Sequence, residues 1–562
     1  MAILHNLKIK NFRGISDFNQ NFSKGITCII GRGDSGKSTI LDAITFVLSS
    51  NWSINIYDND FHLSDIDNPI VIEATLVNVP EKLLSKFGLY IRGVNNEGHI
   101  IDDMESEEGL TSIPALTICL TVSKDLEPIW TIITCRDQEP ISISASDRAS
   151  MNAYAISEYS DRHFSLNKGN PLYSLFKQIN AKADDEDPNI LLKILRETKS
   201  KIDENIADKF EEVITRITKE ARNLGLNTSN VSASMDHRDI SIKENKVCLH
   251  QEQIPLRLNG KGSKRLLSLA IQLSIANQNG IILVDEIEQG LEPDRAQHLA
   301  NILRKYTDSQ IIFTTHSRDV IVELPCNNLF IMTKGANFLN SIPVSLQGCV
   351  RAHPEALFAK RIIVCEGATE IGICRGLNEF RMTQNFPNIS CLGIRLVDGK
   401  GKSMAEWAKN LKSLGFDTCL LCDSDAKDMN DKKEALIADG IIIIDCEDKY
   451  AIEQQLFKDL DWASIISLIE YRMDFDSINS KSLFNMVFMH HEVKPEYTED
   501  WYKIESEELR GTLVDMAKKN SWYKRTDHAM EVGRIVLPNI ENMAPNKRTK
   551  QIFDELTAWI DK

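Results

Sequence analysis

This 562-residue sequence contains no run of about 18 uncharged apolar residues, so no membrane span is expected. Nor does its opening, MAILHNLKIKNF, hold a cleavable apolar segment, and a cytoplasmic protein is the expectation. Paired cysteine motifs are scarce. The 12 cysteines are scattered and mostly sit in apolar surroundings (Cys28, Cys365, Cys419), the pattern of reduced core residues. One CxxC, Cys419 and Cys422, lies in a strand-like run with no second pair, which argues against zinc. Positive charge is in deficit, with a formal net charge of −16. A nucleic-acid partner must therefore be met by a local basic surface and metal ions, not by the overall field. There is no internal repeat and no low-complexity tract.

What is present is ordinary for a soluble globular protein: 42% hydrophobic and 26% charged residues, over a length that suggests two to four domains. Strand patterns open the chain at LHNLKIKNF, GITCII, PIVIEATLVNV and ALTICLTV. From about residue 165 to 225 the sequence is charged, with apolar positions at helical spacing, and predicts long amphipathic helices. These suit either a solvated face or an inserted arm for dimer contacts. Strands return at GIILVDE, QIIFTTH and NLFIMT. From about 355, strands RIIVCEG, GIRLVDG, CLLCDSD and GIIIIDC alternate with helical segments, a parallel α/β pattern. The remainder, from about 450, reads as mainly helical.

The run Gly31-Arg32-Gly33-Asp34-Ser35-Gly36-Lys37-Ser38 matches GxxxxGK[ST] between a strand and a helix-like stretch. Its backbone N–H groups can turn inward to hold phosphates. Lys37 would reach the β- and γ-phosphates of ATP, and Ser38 would bind Mg²⁺. Gly31, Asp34, Ser35, Gly36 and Thr39 complete the expected nucleotide contacts. A later strand ends in Asp285-Glu286: the aspartate would hold Mg²⁺ through water, and the glutamate would orient and deprotonate the attacking water. His316, at the tip of the next strand, sits where a γ-phosphate sensor would. Between them LNGKGSKRL, with Gly260 and Gly262, opens a helix-like run, the setting of an anion site.

In this order, the P-loop, glycine-rich signature, Asp-Glu pair and switch histidine resemble the ABC-type ATPases of the SMC and RecF kind. LKIKNFRGI looks like their adenine-side strand, which implies Arg13 as a nucleotide contact. In that class the signature faces the ATP of a second subunit, so a homodimer or larger homo-oligomer is implied. The chain departs from the class at Gly33, where Asn is usual, and in a signature, Asn259 to Ser263, that is not led by serine.

A second constellation lies further on. Glu366 ends one strand and Glu370 follows a helical turn later. Asp398 ends the next strand, and Asp423 and Asp425 end a third. Side chains at i and i+2 lie on one side of a strand, and two acids so placed repel unless a cation sits between them. The carboxyl ends of parallel strands are where open α/β sheets build sites. Asp423 and Asp425 are thus expected to share Mg²⁺ with Glu366.

This arrangement resembles a Toprim domain, and Toprim behind an SMC-like ATPase resembles the OLD (overcoming lysogenization defect) family of ATP-dependent endonucleases. The resemblance implies an α/β fold: an ABC-type ATPase domain at 1–150 and 236–350, a mainly helical insert at 151–235 that could serve as a dimerisation arm, and a Toprim nuclease domain with a helical C-terminal part at 355–562. Glu366 and Glu370 match the family's E-G-x-x-E, and Asp423 and Asp425 its DxD. Glu453 in YAIEQQL looks like its downstream acid. Lys524, with Arg525 as the fallback, would be its late basic residue. The implied function is cutting or nicking of DNA by two-metal phosphodiester hydrolysis, with Mg²⁺ or Mn²⁺, in anti-phage defence, beside an operon-encoded partner of helicase-like or reverse-transcriptase (retron) type. No segment looks like the tyrosine-bearing domain of a topoisomerase. The rival reading is an ATP-gated DNA clamp or sensor whose Toprim domain cuts nothing.

Overall fold

The computed structural model describes residues 2–102, 112–151, 153–156, 249–251, 254–276, 280–307, 309–489 and 494–562, with a few single positions between 157 and 248. The expected long helices of the insert fall outside the described residues. Among those described, no helix is long and apolar enough to cross a membrane.

The chain first builds an eight-stranded antiparallel sheet. The strand Ile3–Phe12 pairs on one side with Ile15–Asn21 and on the other with Ile70–Val77, which pairs in turn with Ile113–Val122. Packed against it is a six-stranded, mostly parallel sheet in the order Ala153–Ile156, Ile281–Val284, Gln310–Thr314, Gly25–Ile30, Leu329–Ile331, Asn340–Ser341. Gly25–Ile30 is central in this second sheet and buried on both faces, as its β-branched, mostly apolar run favours. The helix Lys37–Val47 follows it and turns Ile40, Leu41, Ala43, Ile44 and Val47 inward. Those side chains join Leu7, Ile9, Phe12 and Ile72 in the core between the two sheets.

The third sheet has four parallel strands, ordered Ile394–Asp398, Arg361–Cys365, Asp417–Cys422, Ile442–Asp445. Each strand foreseen from the sequence in this stretch is present. One face of this sheet packs on the C-terminal helices, among them Ile452–Asp459, Trp462–Asp476, Glu507–Lys519 and Arg548–Asp561. Its other face does something the sequence did not foretell. Through Trp407, Leu411, Leu420 and the short helices Gln347–Ala352 and Pro354–Phe358, it shares one continuous apolar core with Ile26, Val284 and Phe313 of the P-loop sheet. The P-loop sheet and the four-stranded sheet are therefore joined by one core and not merely tethered.

Candidate nucleotide and metal centres

The P-loop folds into a nest of inward N–H groups. Gly31 has φ +147, and a Cβ there would lie 2.3 Å from the Met332 carbonyl oxygen, so only glycine fits. Asp34 and Gly36 also take left-handed φ values, which reverse the chain into the helix beginning at Lys37. Lys37 Nζ donates to the carbonyls of Gly31 (3.0 Å) and Arg32 (2.8 Å), inside the loop that would receive phosphate. Burial lowers its pKa, opposed by Asp285, Glu286 and Asp34.

The strand order brings the separated motifs to this loop. Ser38 Oγ donates to Asp285 Oδ1 at 3.1 Å, and Thr314 Oγ1 donates to the same oxygen at 2.5 Å. Glu286 has φ +47 and its N–H donates to Thr314 Oγ1, which fixes the Asp-Glu turn. His316 is exposed beside it. Its N–H donates to Glu288 Oε1 and its ring stacks on Phe358 at 5.8 Å. Partial burial of its ring and the charge of Lys37 lower its pKa. Thr39 is half-buried on the P-loop helix, while Ser35 is buried in the loop.

The signature residues Gly260 and Gly262 stand at the start of the helix Lys261–Ala276, with Gly260 exposed. Arg265 on that helix is buried and donates to the carbonyls of Asp285 and Glu286 and to Gln289. It locks the signature helix to the Asp-Glu turn. Arg265 lay within the basic run read from the sequence, but its role depends on a contact across 20 residues. Arg13 sits beside the P-loop helix, and its guanidinium is paired with Asp42 and with Asp60 (2.7 Å). Those carboxylates engage its Nε and Nη1 and hold the guanidinium beside the P-loop helix.

In the second centre, Arg361–Cys365 lies between Ile394–Asp398 and Asp417–Cys422, with Cys365 opposite both Asp398 and Leu421. The residues just past the strand ends therefore meet. The Asp423 N–H donates to Glu366 Oε2 at 2.9 Å. One oxygen each of Glu366, Asp423 and Asp425 lies within 4.8 Å of the others, a spacing suited to a shared cation. Ser424, between the two aspartates, points the other way and donates to the Cys446 carbonyl at 2.7 Å. Glu370 Oε2 accepts from the Gly367 N–H at 2.8 Å, and the Ile452 N–H donates to Asp423 Oδ1 at 2.8 Å.

This is costly charge to bury. Glu370 and Glu453 are 3% and 1% exposed, and Asp423 is 9% exposed. Burial first, then Glu370, Glu366 and Glu453, push Asp423 up to about 9. Burial and the same neighbours push Glu370 up to about 7, and Glu366 is raised as well. Two lysines face the acids: Lys518 Nζ is 2.7 Å from Asp425, and Lys524 Nζ is 3.4 Å from Glu453. Arg525 instead pairs with Asp527 on the surface. Lys518 was not singled out in the sequence, and no local signal marks it. Cys419 and Cys422 are buried thiols that pack into different cores on opposite faces of their strand, so the two do not face one ion together.

The carboxylates fit a hard divalent cation: all are oxygen donors, Glu370, Asp423 and Glu453 are buried, and Asp423 keeps its proton at neutral pH unless a cation replaces it. A family model described as "AAA domain, putative AbiEii toxin, Type IV TA system" matches residues 26–323, more than half of the chain. A second, "Overcoming lysogenization defect protein-like, TOPRIM domain", matches residues 357–425. The chain belongs to the AAA-domain family and carries an OLD-like Toprim domain. The OLD-like chain is similar to the "Retron Ec83 probable ATPase" of Escherichia coli, 23% identical over 421 residues, covering 61% of this chain and 73% of that protein. A 46-residue stretch is 52% identical to the "DNA double-strand break repair Rad50 ATPase" of Methanococcus maripaludis, 8% of this chain and 5% of that one. Solved structures similar to the OLD-like chain include an SMC head bound to the C-winged helix domain of ScpA (17% identity, 60% of this chain, 96% of that one, TM-score 0.34). Another is the recombination mediator RecF (15% identity, 61% of this chain, 98% of that one, TM-score 0.32).

Proposed function

We propose that this protein is an ATP-hydrolysing, divalent-metal-dependent DNA endonuclease that works as a homodimer or larger assembly. The observation that carries the reading is the buried group of Glu370, Asp423 and Glu453, with Glu366 half-buried beside it and Asp425 at its rim. A fold gains nothing by burying three carboxyls together unless a cation is meant to join them. In this reading the ATPase domain is 1–150 with 236–350, the insert is 151–235 and the Toprim domain is 355–562.

Glu366, Asp423 and Asp425 would supply the first oxygen ligands, with Glu370 and Glu453 closing the buried side. A bound divalent cation supplies charge neutralisation at a phosphodiester and acidifies water. Lys524 Nζ, held beside Glu453, is placed to donate to a phosphate oxygen, and Lys518 can do the same once a cation takes over Asp425. At the other centre Lys37 faces the phosphates of ATP. Ser38 and Asp285, already hydrogen-bonded, would hold the nucleotide's Mg²⁺. Glu286 would take the proton of the attacking water and His316 would sense the γ-phosphate. Gly260 is exposed with open space around it, as a signature serving a second subunit's ATP would be, while Gly262 packs against the Gly290 carbonyl and holds the loop to the Asp-Glu turn. Anti-phage defence with a reverse-transcriptase-type partner is the cellular role we favour, supported by the relative whose name ties it to a retron.

The test is nicking of supercoiled plasmid by purified protein in Mg²⁺ or Mn²⁺, with and without ATP. Wild type should nick, and Asp423→Ala should not, while its ATP turnover stays within twofold. Equal nicking by both proteins would reject the nuclease assignment. ATP turnover with no metal-dependent cutting by wild type would favour the ATP-gated clamp.

A further inference from the structure

Between the P-loop and the Toprim domain lies a cavity of about 210 Å³ lined by Arg32, Gly33, His316, Phe358, Ser390 and Arg395. Arg32 and Gly33 belong to the P-loop and His316 to the strand tip beside it. Ser390 and Arg395 belong to the Toprim side. Two guanidinium groups thus converge from two domains on one space, and none of its lining residues is a carboxylate. Among the described residues neither arginine has an ion-pair partner. Glu288, behind His316, accepts from the His316 N–H and Thr315 Oγ1.

The convergence is built in. Gly393 has φ +75, and a Cβ there would lie 2.3 Å from Arg32 Nη1, so the Arg32 guanidinium rests directly on the bare Gly393 backbone. The loop that carries this contact is rigid: the Lys360 N–H donates to the Gly393 carbonyl at 2.7 Å, and the Ile394 N–H to the Ile389 carbonyl at 3.0 Å. Arg395 Nη1 donates to Ser390 Oγ at 2.9 Å, which aims its guanidinium. Both arginines are solvent-exposed, and two positive charges lining one cavity with no carboxylate among its lining make it a favourable place for an anion. Guanidinium forks match phosphate oxygens in pairs. A cavity of about 210 Å³ is below the roughly 300 Å³ at which small-molecule pockets begin. It suits an inorganic oxyanion, not a nucleotide.

We propose that this interdomain cleft is an orthophosphate site, shared by Arg32 of the ATPase and Arg395 of the Toprim domain. The proposal rests on the ATPase reading only for the source of its ligand: phosphate cleaved at the P-loop passes His316 and Gly33 directly into the cleft. Occupancy draws one arginine from each domain onto one anion, so the Toprim domain is tied to the stage of ATP turnover. Phe358 reinforces the tie, because it stacks on His316 and its helix leads straight into the strand that ends at Glu366.

The test is calorimetric titration of inorganic phosphate into the full-length protein, with and without ADP, at constant ionic strength. Wild type should bind one phosphate saturably. Arg395→Ala should weaken that binding at least tenfold, and Arg395→Lys should restore part of it by keeping charge without the fork. Arg395 is exposed, and an unchanged melting profile shows that the variants are folded. A fluorescent ATP analogue, titrated in parallel, reports the P-loop separately. If it fails to bind wild type, the ATPase reading falls while the phosphate titration still decides the cleft. Phosphate affinity unaltered by Arg395→Ala overturns the proposal. So does wild type that ignores phosphate but loses duplex DNA binding on Arg395→Ala, since the cleft would then be a nucleic-acid contact.

Discussion

Removing divalent metal should make this protein less stable as pH rises from 7 to 8.5. Asp423 ionises near 3.8 when unfolded and is pushed up to about 9 when folded without a cation. The folded protein therefore keeps a proton there that the unfolded chain has lost. The stability linked to a group with a raised pKa is full below its unfolded value and is lost as pH climbs through the folded one. Over 1.5 pH units at about 1.4 kcal/mol per unit, Asp423 alone removes about 2 kcal/mol. Glu370, pushed up to about 7, adds its loss mostly below this window. His316, His353 and His528, whose pKa values burial lowers, act in the opposite sense, gaining stability as pH rises. For a unit of 150–250 residues, about 2 kcal/mol corresponds to a fall in Tm of about 4–8 °C. Scanning calorimetry in EDTA should show this fall in the transition of the Toprim region. Saturating Mg²⁺ or Mn²⁺ should cancel it, because a cation replaces the proton. Its stabilisation should then be larger at pH 8.5 than at 7. The variant Asp423→Asn has no proton to lose and should be flat over the window in EDTA. A wild-type Tm that is level or rises with pH in EDTA would refute the claim that these acids are buried without compensation.

Other consequences are as direct. Glu286→Gln should bind ATP with near wild-type affinity and turn it over at least 100-fold more slowly, measured by phosphate release; wild-type turnover would remove Glu286 as the base. Trp407 is buried in the core common to both sheets, so Trp407→Ala should cost about 3–5 kcal/mol and lower the unfolding of both regions together. If only the C-terminal transition moved, the core would not couple them. Sedimentation should show a dimer or larger particle, above the monomer's 63.6 kDa, at least with ATP bound; a monomer under all conditions would defeat the shared-signature reading.

Much of the chemistry was legible because it is written in contiguous residues. The P-loop is a backbone conformation that four or five neighbouring residues dictate, and Gly31, Gly36 and Lys37 adopt it as read. The alternation of a chain leaving a strand put Asp423 and Asp425 on one side and Ser424 on the other. Parallel strands of similar length deliver their ends to one edge, so Glu366 and the aspartates could be placed together before any coordinates existed.

The sequence alone determined the class of both centres, because phosphate cradles and strand-end acids depend on local geometry. Tertiary structure decided everything that depends on distant residues meeting. It paired Lys518 with Asp425, chose Lys524 over Arg525 as the basic group beside Glu453, and occupied Arg13 with Asp42 and Asp60. It also fused the two domains through Trp407 and set Arg32 against Gly393, two residues from Arg395. None of these contacts leaves a trace in spacing or composition. Each follows from how amphipathic elements far apart in the chain bury their apolar faces together, and the charged groups at their edges are carried along.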